Sequence, residues 1–151
     1  MKMPKGQIGV VVPTMNSAST LQWTLCSLRS QRDITLDVIV ADSGSQDGTV
    51  DICKAWGVPT IYVPPGNMYR AINAGLRVME SDWVTYLNSD DIVYPDSYAG
   101  CYYNCCDCCG PCYRSYQSNV VYMEFHSPRR YNEGGGFEMS EYAWIPTPEE
   151  P

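Results

Sequence analysis

Two acidic turns carry the residues in this sequence that are best suited to chemistry. The first is residues 42–49 (DSGSQDGT) and the second is residues 88–91 (NSDD), and each follows a short apolar run. Adjacent carboxylates such as Asp90 and Asp91 repel one another unless a cation lies beside them. Oxygen ligands of this kind suit hard divalent cations such as Mg²⁺ or Mn²⁺. The pattern therefore predicts a metal ion that holds a phosphate group.

Apolar spacing indicates the elements that must position these turns. Apolar runs at residues 8–12, 38–41, 60–63 and 83–87 predict four strands, and Pro13 is expected to end the first. Three helices are predicted between them by apolar residues at helical spacing: Ala18, Leu21, Leu25 and Leu28, then Thr49, Ile52, Cys53 and Trp56, then Met68, Ala71, Ile72, Gly75, Leu76 and Met79. This strand–helix alternation predicts an α/β fold, with a mostly parallel sheet and helices on both faces.

Several polar residues are suited to end these helices. Asn16 or Ser17 can cap the first helix, Ser45 or Asp47 can cap the second, and Gly57 is expected to end the second. Capping and turn formation are also an alternative explanation for the whole first acidic turn, because clusters of Asp, Ser and Gly commonly serve these purposes.

The placement of both acidic turns after strands favours a shared site. In an open parallel sheet, the carboxyl ends of the strands lie along one edge, and ligands bind where the strand order reverses. Both turns are therefore expected to face one crevice. The alternative for Asp90 and Asp91 is a solvated pair of loop residues.

Length and charge restrict the classes of partner. The 151 residues suit one domain, and 10 Lys and Arg against 17 Asp and Glu give a formal net charge of -7. This balance argues against nucleic acid or an anionic membrane surface as a broad electrostatic partner. No apolar stretch approaches the roughly 18 to 20 residues that a membrane-spanning helix needs. We therefore expect a cytoplasmic protein with reduced thiols.

The composition of the chain changes near Tyr98. Six of the eight cysteines lie within residues 101–112, and a glycine run and a proline-rich end follow. The expected organisation is one domain at residues 1–98 and a Cys- and Tyr-rich segment at residues 99–151 that is degenerate or poorly ordered. The cysteine pairs at residues 105–108 and 109–112 have the spacing of zinc or iron–sulfur ligands, but they directly adjoin each other. A compositional accident is the alternative to a metal site.

Five motifs in order resemble those of the family 2 glycosyltransferases, which have the GT-A fold. They are VVPTMN at residues 11–16, SLRSQ at residues 27–31, VIVADSGSQDGT at residues 38–49, YRAINAG at residues 69–75 and LNSDD at residues 87–91. Each motif alone is weak evidence, whereas five in sequence are specific. The resemblance implies a nucleoside-diphosphate sugar donor, with a UDP-sugar favoured, and Mg²⁺ or Mn²⁺ as cofactor. It also implies a carbohydrate or lipid-linked acceptor, transfer with inversion, and compatibility with peripheral membrane association.

The resemblance assigns the first group of site residues. It places Pro13, Thr14 and Asn16 in the loop over the nucleotide base and ribose, and Asp42 at a hydrogen bond to the base or ribose. Family members commonly carry a second acid where this chain has Ser43, so weaker base contacts are expected at that position.

The resemblance also assigns the residues at the phosphate end. Asp90 aligns with the last acid of the family's DxD-type motif and is expected to bind the metal and the diphosphate, with Asp91 beside it. Asn88 stands where many members have the first acid of that motif. Its amide removes one negative charge but can still bond the ribose or a metal-bound water.

The last part of the chain carries the candidate catalytic base. A Gly-Gly-Phe sequence at residues 135–137, followed by Glu141, looks like a shortened form of the family's late segment, in which the acidic base follows such a sequence. Glu141 is then the base and His126 an acceptor-side residue; the alternative is that both are surface residues. Because the chain is shorter than a complete domain of this family, the alternative function is a catalytically incomplete nucleotide-sugar-binding or interaction module.

Overall fold

The predicted strands and helices form a layered α/β unit in the computed structural model, which describes residues 7–81 and 83–99. The elements are β1 (Gln7–Thr14), α1 (Leu21–Arg29), β2 (Thr35–Asp42), α2 (Thr49–Trp56), β3 (Thr60–Tyr62), α3 (Met68–Val78) and β4 (Trp83–Tyr86). The strands lie in the order β3-β2-β1-β4, and every pairing is parallel. The predicted α/β class and parallel sheet are confirmed.

Strand β1 lies inside the sheet and is paired unequally on its two sides. It pairs with β2 over its whole length, from Gln7 opposite Thr35 to Thr14 opposite Asp42. Its pairing with β4 ends earlier, where Val11 lies opposite Tyr86. The chain runs outward from β1 through β2 to β3 and then returns to the other side of β1, so the strand order reverses between β1 and β4. A crevice is expected at this point of the carboxyl edge.

The expectation that Pro13 ends β1 is wrong, because the strand continues to Thr14. The carbonyl of Val11 accepts a hydrogen bond from the N–H of Leu87 on the β4 side, and that of Thr14 accepts from the N–H of Ser43 on the β2 side. Pro13 is two residues from Val11 and therefore faces the β4 side, where pairing has already ended. Its missing N–H consequently costs the sheet little.

Helices cover both faces of the sheet. Helices α1 and α2 pack on one face, where the buried cluster contains Ile8, Val10, Val12, Val40, Leu21, Leu25, Leu28 and Cys53. Helix α3 packs on the other face, where the cluster contains Val11, Ala41, Val84, Val63, Ala71, Ile72, Leu76 and Met79. Burial on both sides explains why the strands are continuously apolar in sequence.

The predicted cap of α1 is wrong. The helix begins at Leu21 instead of near Ala18, and its N-cap residue Thr20 makes no side-chain capping bond. The backbone carbonyl of Ser17 accepts the N–H groups of Thr20 and Leu21. The side chains of Asn16 and Ser17 are instead bonded to other loops, as described below.

The C-terminal end of α2 agrees with the sequence prediction, whereas its N-terminal cap does not. Gly48 precedes the helix in the left-handed region with a φ of 93°. Gly48 is the N-cap residue and no side chain makes a capping bond, so the prediction of Ser45 or Asp47 as the cap is wrong. The Asp47 carboxylate, one residue earlier, accepts the backbone N–H of Thr49 at 3.1 Å. Gly57 ends the helix with a φ of 67°, and its N–H donates to the Lys54 carbonyl. A left-handed residue at this point favours glycine.

The segment predicted for residues 99–151 falls almost wholly outside the described residues. The cysteine pairs at residues 105–112, His126 and Glu141 are all among the residues not described. The two cysteines that are described, Cys26 and Cys53, are free thiols. Within residues 7–81 and 83–99, no helix has both the length and the apolar character needed to cross a bilayer.

Gly75 sets how closely α3 packs on β1. A Cβ atom at this position would lie 2.5 Å from Cγ1 and 2.7 Å from Cγ2 of Val11, so the helix or the strand would have to move. We predict that Gly75→Ala lowers the free energy of unfolding by about 1 to 3 kcal/mol, although alanine favours helices. Chemical denaturation measures the change.

The control for this prediction is Val78→Ala, at an exposed position of the same helix. It should alter the free energy of unfolding by less than about 0.5 kcal/mol. If Gly75→Ala proved as stable as the wild type, the close approach of α3 to β1 would not require glycine at position 75.

Candidate functional site

A crevice of about 830 Å³ lies at the carboxyl edge of the sheet, where β1 and β4 diverge. Loops that follow all four strands contribute to its wall. The lining residues are Pro13, Thr14, Met15, Asn16, Ser17, Thr20, Ser43, Gly66, Asn67, Met68, Ala71, Asn88, Ser89 and Asp90. The position agrees with the rule that ligands of open parallel sheets bind where the strand order reverses.

The crevice brings together most of the residues that the sequence singled out. Those that line it are Pro13, Thr14, Asn16, Ser43, Asn88 and Asp90. Asp42 and Asp91 do not line it. These residues are far apart along the chain. They converge because each lies at or just after the end of a strand.

Asp42 lies at the end of β2 and is only 3% exposed. One carboxylate oxygen accepts hydrogen bonds from the hydroxyls of Thr14, at 2.8 Å, and Ser45. The other accepts from the backbone N–H groups of Gly44, at 3.0 Å, and Ser45, at 2.9 Å. Burial by itself would raise the pKa of Asp42, but these hydrogen bonds outweigh burial and lower the pKa below its ordinary value of 3.8.

The loops after β1 and β2 are bonded to each other. The N–H of Asn16 donates to the Ser45 hydroxyl at 2.8 Å, and its side-chain oxygen accepts from the N–H of Gln46 at 2.9 Å. Asn16 has a φ of 54°, a conformation that asparagine tolerates better than most residues. The N–H of Ala18 donates to the Asp47 carboxylate at 3.0 Å. Hydrogen bonds from the Thr49 hydroxyl and from Ala18 lower the pKa of Asp47.

The loops after β1 and β4 are joined through two serines that the sequence interpretation missed as site residues. The hydroxyls of Ser17 and Ser89 lie 2.8 Å apart, and the N–H of Ser17 donates to the Thr49 hydroxyl at 2.8 Å. The Thr24 hydroxyl donates to the carbonyl of Ser89 at 2.9 Å, which ties the β4 loop to α1. The sequence feature that could have indicated this contact is a small hydroxyl residue in each of the two loops that flank the strand-order reversal.

The NSDD turn presents one engaged and one exposed carboxylate. The side-chain N–H of Asn88 donates to Asp91 at 3.1 Å, whereas Asp90 is exposed in the crevice wall. The side-chain oxygen of Asn88 is buried and has no hydrogen-bond partner in the described part of the chain. Asn88 and Asp90 therefore offer oxygen atoms of the kind that coordinate a divalent cation or accept a hydrogen bond from a metal-bound water.

The donor set fits a cation that is shared with a ligand. Within residues 7–81 and 83–99, no group of three His, Cys, Asp or Glu side chains is placed to hold a metal. Mg²⁺ is usually held by one or two carboxylates together with substrate phosphates and water, so a complete protein cage is not required. Asp90 can supply one such carboxylate.

Several apolar residues also line the crevice. Met15 and Met68 line it and remain 57% and 46% exposed, and Pro13 and Ala71 line it as well. Methionine adapts its shape to a ring better than branched side chains do. The sequence interpretation did not predict Met15, or the contribution of Gly66, Asn67 and Met68 from the loop after β3. The turn at residues 64–66, directly after the third strand, was the available signal for that loop.

Comparison with known proteins identifies the family. The chain matches the model of Glycosyl transferase family 2 over residues 9–144. It belongs to this family. The parallel sheet with helices on both faces is accordingly a GT-A fold, as its structural neighbours also indicate.

Individual relatives match over part of the chain. An uncharacterized glycosyltransferase of Rickettsia prowazekii is 26% identical over 91 residues, which are 59% of this chain and 29% of that protein. S. aureus TarS in complex with UDP-GlcNAc is 25% identical, with a TM-score of 0.55, over 64% of this chain and 30% of that one.

A third relative is glucosyl-3-phosphoglycerate synthase from Mycobacterium tuberculosis, solved with Mn²⁺, UDP and phosphoglyceric acid. It is 31% identical with a TM-score of 0.52, over 60% of this chain and 35% of that one. The chain spans roughly a third of the length of each of these three relatives.

The lowered pKa of Asp42 leads to a prediction on acid stability. A carboxylate with a lowered folded-state pKa stabilises the fold above its ordinary value of 3.8, and this contribution is lost as the pH falls through the lower folded value. We predict that Asp42→Asn is about 1 to 2 kcal/mol less stable than the wild type at pH 7. The difference should shrink below about pH 3.8. Denaturation at several pH values measures it.

Asp51→Asn is the control, because it removes an exposed carboxylate whose partner is Lys54 at 3.7 Å. It should change the free energy of unfolding by less than about 0.5 kcal/mol. A stability difference for Asp42→Asn that stays constant from pH 7 to pH 2 would show that the ionised carboxylate does not stabilise the fold.

Proposed function

We propose that the crevice binds a nucleoside-diphosphate sugar together with a divalent cation, and that the protein transfers the sugar to an acceptor hydroxyl. The observation that carries the proposal is the crevice itself. It lies at the strand-order reversal of a family 2 glycosyltransferase chain. Its wall combines an exposed Asp90 with a buried oxygen of Asn88 that has no hydrogen-bond partner among the described residues.

The charges at the crevice support a requirement for a cation. Among the described residues that line it, none is Lys, Arg or His, and Asp90 adds a negative charge. A diphosphate placed beside that carboxylate would be repelled, since like charges a few ångströms apart are unfavourable. A Mg²⁺ or Mn²⁺ ion held by Asp90 would neutralise this charge and would stabilise the leaving diphosphate. The Mn²⁺ and UDP bound to the mycobacterial relative support this assignment.

We assign the two sides of the crevice to the two ends of the donor. Pro13, Thr14, Asn16 and Ser43 lie on the side of β1 and β2 and would surround the nucleoside. Asn88 and Asp90, with Asp91 behind them, would lie at the metal and diphosphate. A UDP-sugar is favoured as donor, because the relatives TarS and glucosyl-3-phosphoglycerate synthase were solved with UDP-GlcNAc and UDP.

The transfer step uses a base from the later part of the chain, for which we propose Glu141. The base accepts the proton of the acceptor hydroxyl while that oxygen forms a bond to the anomeric carbon. The bond between the anomeric carbon and the diphosphate oxygen breaks, and its electron pair leaves with the diphosphate. Attack from the side opposite the leaving group inverts the anomeric centre. We propose a carbohydrate or lipid-linked acceptor, polysaccharide biosynthesis as the process, and a cytoplasmic location.

The first functional prediction concerns Asp90. Asp90→Asn should weaken Mn²⁺-dependent UDP binding at least about 30-fold, which corresponds to about 2 kcal/mol, because a charged metal ligand is lost at constant size. Calorimetric titration with UDP, with and without Mn²⁺, measures this. The wild type should bind UDP measurably more tightly when Mn²⁺ is present.

The matched control is Asp51→Asn on the exposed surface of α2, which changes the net charge equally. Its UDP affinity should equal that of the wild type. If Asp90→Asn also bound UDP with wild-type affinity in Mn²⁺, Asp90 would not be the metal ligand and the proposed metal site would be rejected.

The second functional prediction concerns Glu141. Glu141→Gln should lower sugar transfer by about 10² to 10⁴ and leave UDP affinity unchanged, because the amide cannot accept the acceptor proton. Turnover of a panel of UDP-sugars with carbohydrate acceptors provides the rate. Glu138→Gln is the control and should transfer at the wild-type rate. An unchanged rate in Glu141→Gln would remove Glu141 from the mechanism.

A further inference from the structure

Asp42 has no acceptor capacity left for a ligand. An ionised carboxylate offers about four lone-pair sites. Asp42 receives two hydroxyl hydrogen bonds, from Thr14 and Ser45, and two backbone N–H hydrogen bonds, from Gly44 and Ser45. Its oxygens are therefore satisfied by the protein, in contrast to the exposed carboxylate of Asp90.

The carboxylate also lies behind the crevice wall. Asp42 is 3% exposed and is absent from the lining, whereas its partner Thr14 and its neighbour Ser43 are both in the lining. The N–H of Ser43 donates to the Thr14 carbonyl at 2.9 Å. Thr14 is thus bonded directly to Asp42, and Ser43 is bonded to Thr14.

The hydrogen bonds extend from Asp42 to the loop after β1. The Ser45 hydroxyl donates to Asp42 and accepts the N–H of Asn16 at 2.8 Å. The side-chain oxygen of Asn16 then accepts the N–H of Gln46. Because the carboxylate fixes Ser45, and Ser45 fixes Asn16, removal of the carboxylate releases both loops on this side of the crevice.

We propose that Asp42 is a positioning residue that holds the nucleoside side of the crevice in shape and does not itself contact the nucleotide. The proposal rests on the proposed function, and it differs from the sequence expectation of a hydrogen bond from Asp42 to the base or ribose. Thr14, Asn16 and Ser43 then meet the nucleoside, and all three are uncharged.

The two roles predict different base selectivity. Uracil presents an N–H at ring position 3, whereas cytosine presents an acceptor there. If Asp42 accepted the uracil N–H, Asp42→Asn could offer an amide N–H instead and would shift preference from UDP towards CDP. A positioning carboxylate predicts the same UDP-to-CDP preference before and after the substitution.

The test compares four proteins in calorimetric titrations with UDP and CDP in the presence of Mn²⁺. They are Asp42→Ala, Asp42→Asn, the double variant Thr14→Val with Ser45→Ala, and the control Ile8→Val at the far end of β1. Asp42→Ala and the double variant should weaken the binding of UDP and of CDP by the same factor of about ten or more. Asp42→Asn should recover part of this loss, because its oxygen can still accept the two N–H groups and the two hydroxyls can accept from its amide.

The expected result includes an unchanged UDP-to-CDP ratio in every variant and wild-type affinity in Ile8→Val, which is destabilised without touching the crevice. Two outcomes would overturn the proposal. One is a ratio that shifts about tenfold towards CDP in Asp42→Asn. The other is wild-type affinity in Asp42→Ala.

A nucleotide-independent measurement separates this proposal from the proposed function. If the wild type binds neither UDP nor CDP with Mn²⁺, the proposed function fails, and amide hydrogen exchange then decides the role of Asp42. The amides of Gly44 and Ser45 should exchange at least about tenfold faster in Asp42→Ala than in the wild type, and at the wild-type rate in Ile8→Val. Equal exchange in Asp42→Ala and the wild type would overturn the positioning role.

Discussion

The unequal pairing of β1 is the constraint on which the rest of the structure depends. Because β1 stays paired with β2 as far as Thr14 but leaves β4 after Val11, the sheet opens on one side of a strand that is still held on the other. Proline at position 13 is tolerated for the same reason. The loops after β1 and β4 therefore diverge, and the opening between them begins in the pairing of the sheet.

Hydrogen bonds between loops then fix the walls of this opening. Helices as short as α1 and α2 gain little stability from their own propensity, so their position depends on packing against the sheet. Asn16, Ser17 and Ser45 are residue types that usually cap helices, yet their side chains join one strand-end loop to another. Each such bond contributes about 0.5 to 1.5 kcal/mol net. Together they hold the site in one arrangement before a ligand arrives, which reduces the ordering cost of binding.

The sequence was sufficient to predict the order of elements, the parallel sheet and the convergence of residues as distant as Pro13 and Asp90, since these depend on apolar spacing and on the strand-end rule. It was not sufficient to predict which polar residues face a ligand. The hydrogen bond from Thr14 to Asp42 joins positions 28 residues apart in sequence, and its existence depends on the exact register of β1 on β2. Likewise, the Ser17 hydroxyl contacts that of Ser89, 72 residues away, and does not cap α1. Local helix and strand propensities predict neither of these long-range contacts.

The two acidic turns look alike in sequence, but their environments give them different chemistry. The charge of Asp42 is stabilised by protein hydroxyls and N–H groups, so a cation would have to displace these bonds to reach it. Asp90 is exposed, and the Asn88 amide two residues earlier donates its hydrogen bond to Asp91. Among the described residues that line the crevice, those from the loops after β1, β2 and β3 are uncharged, whereas Asp90 after β4 is acidic.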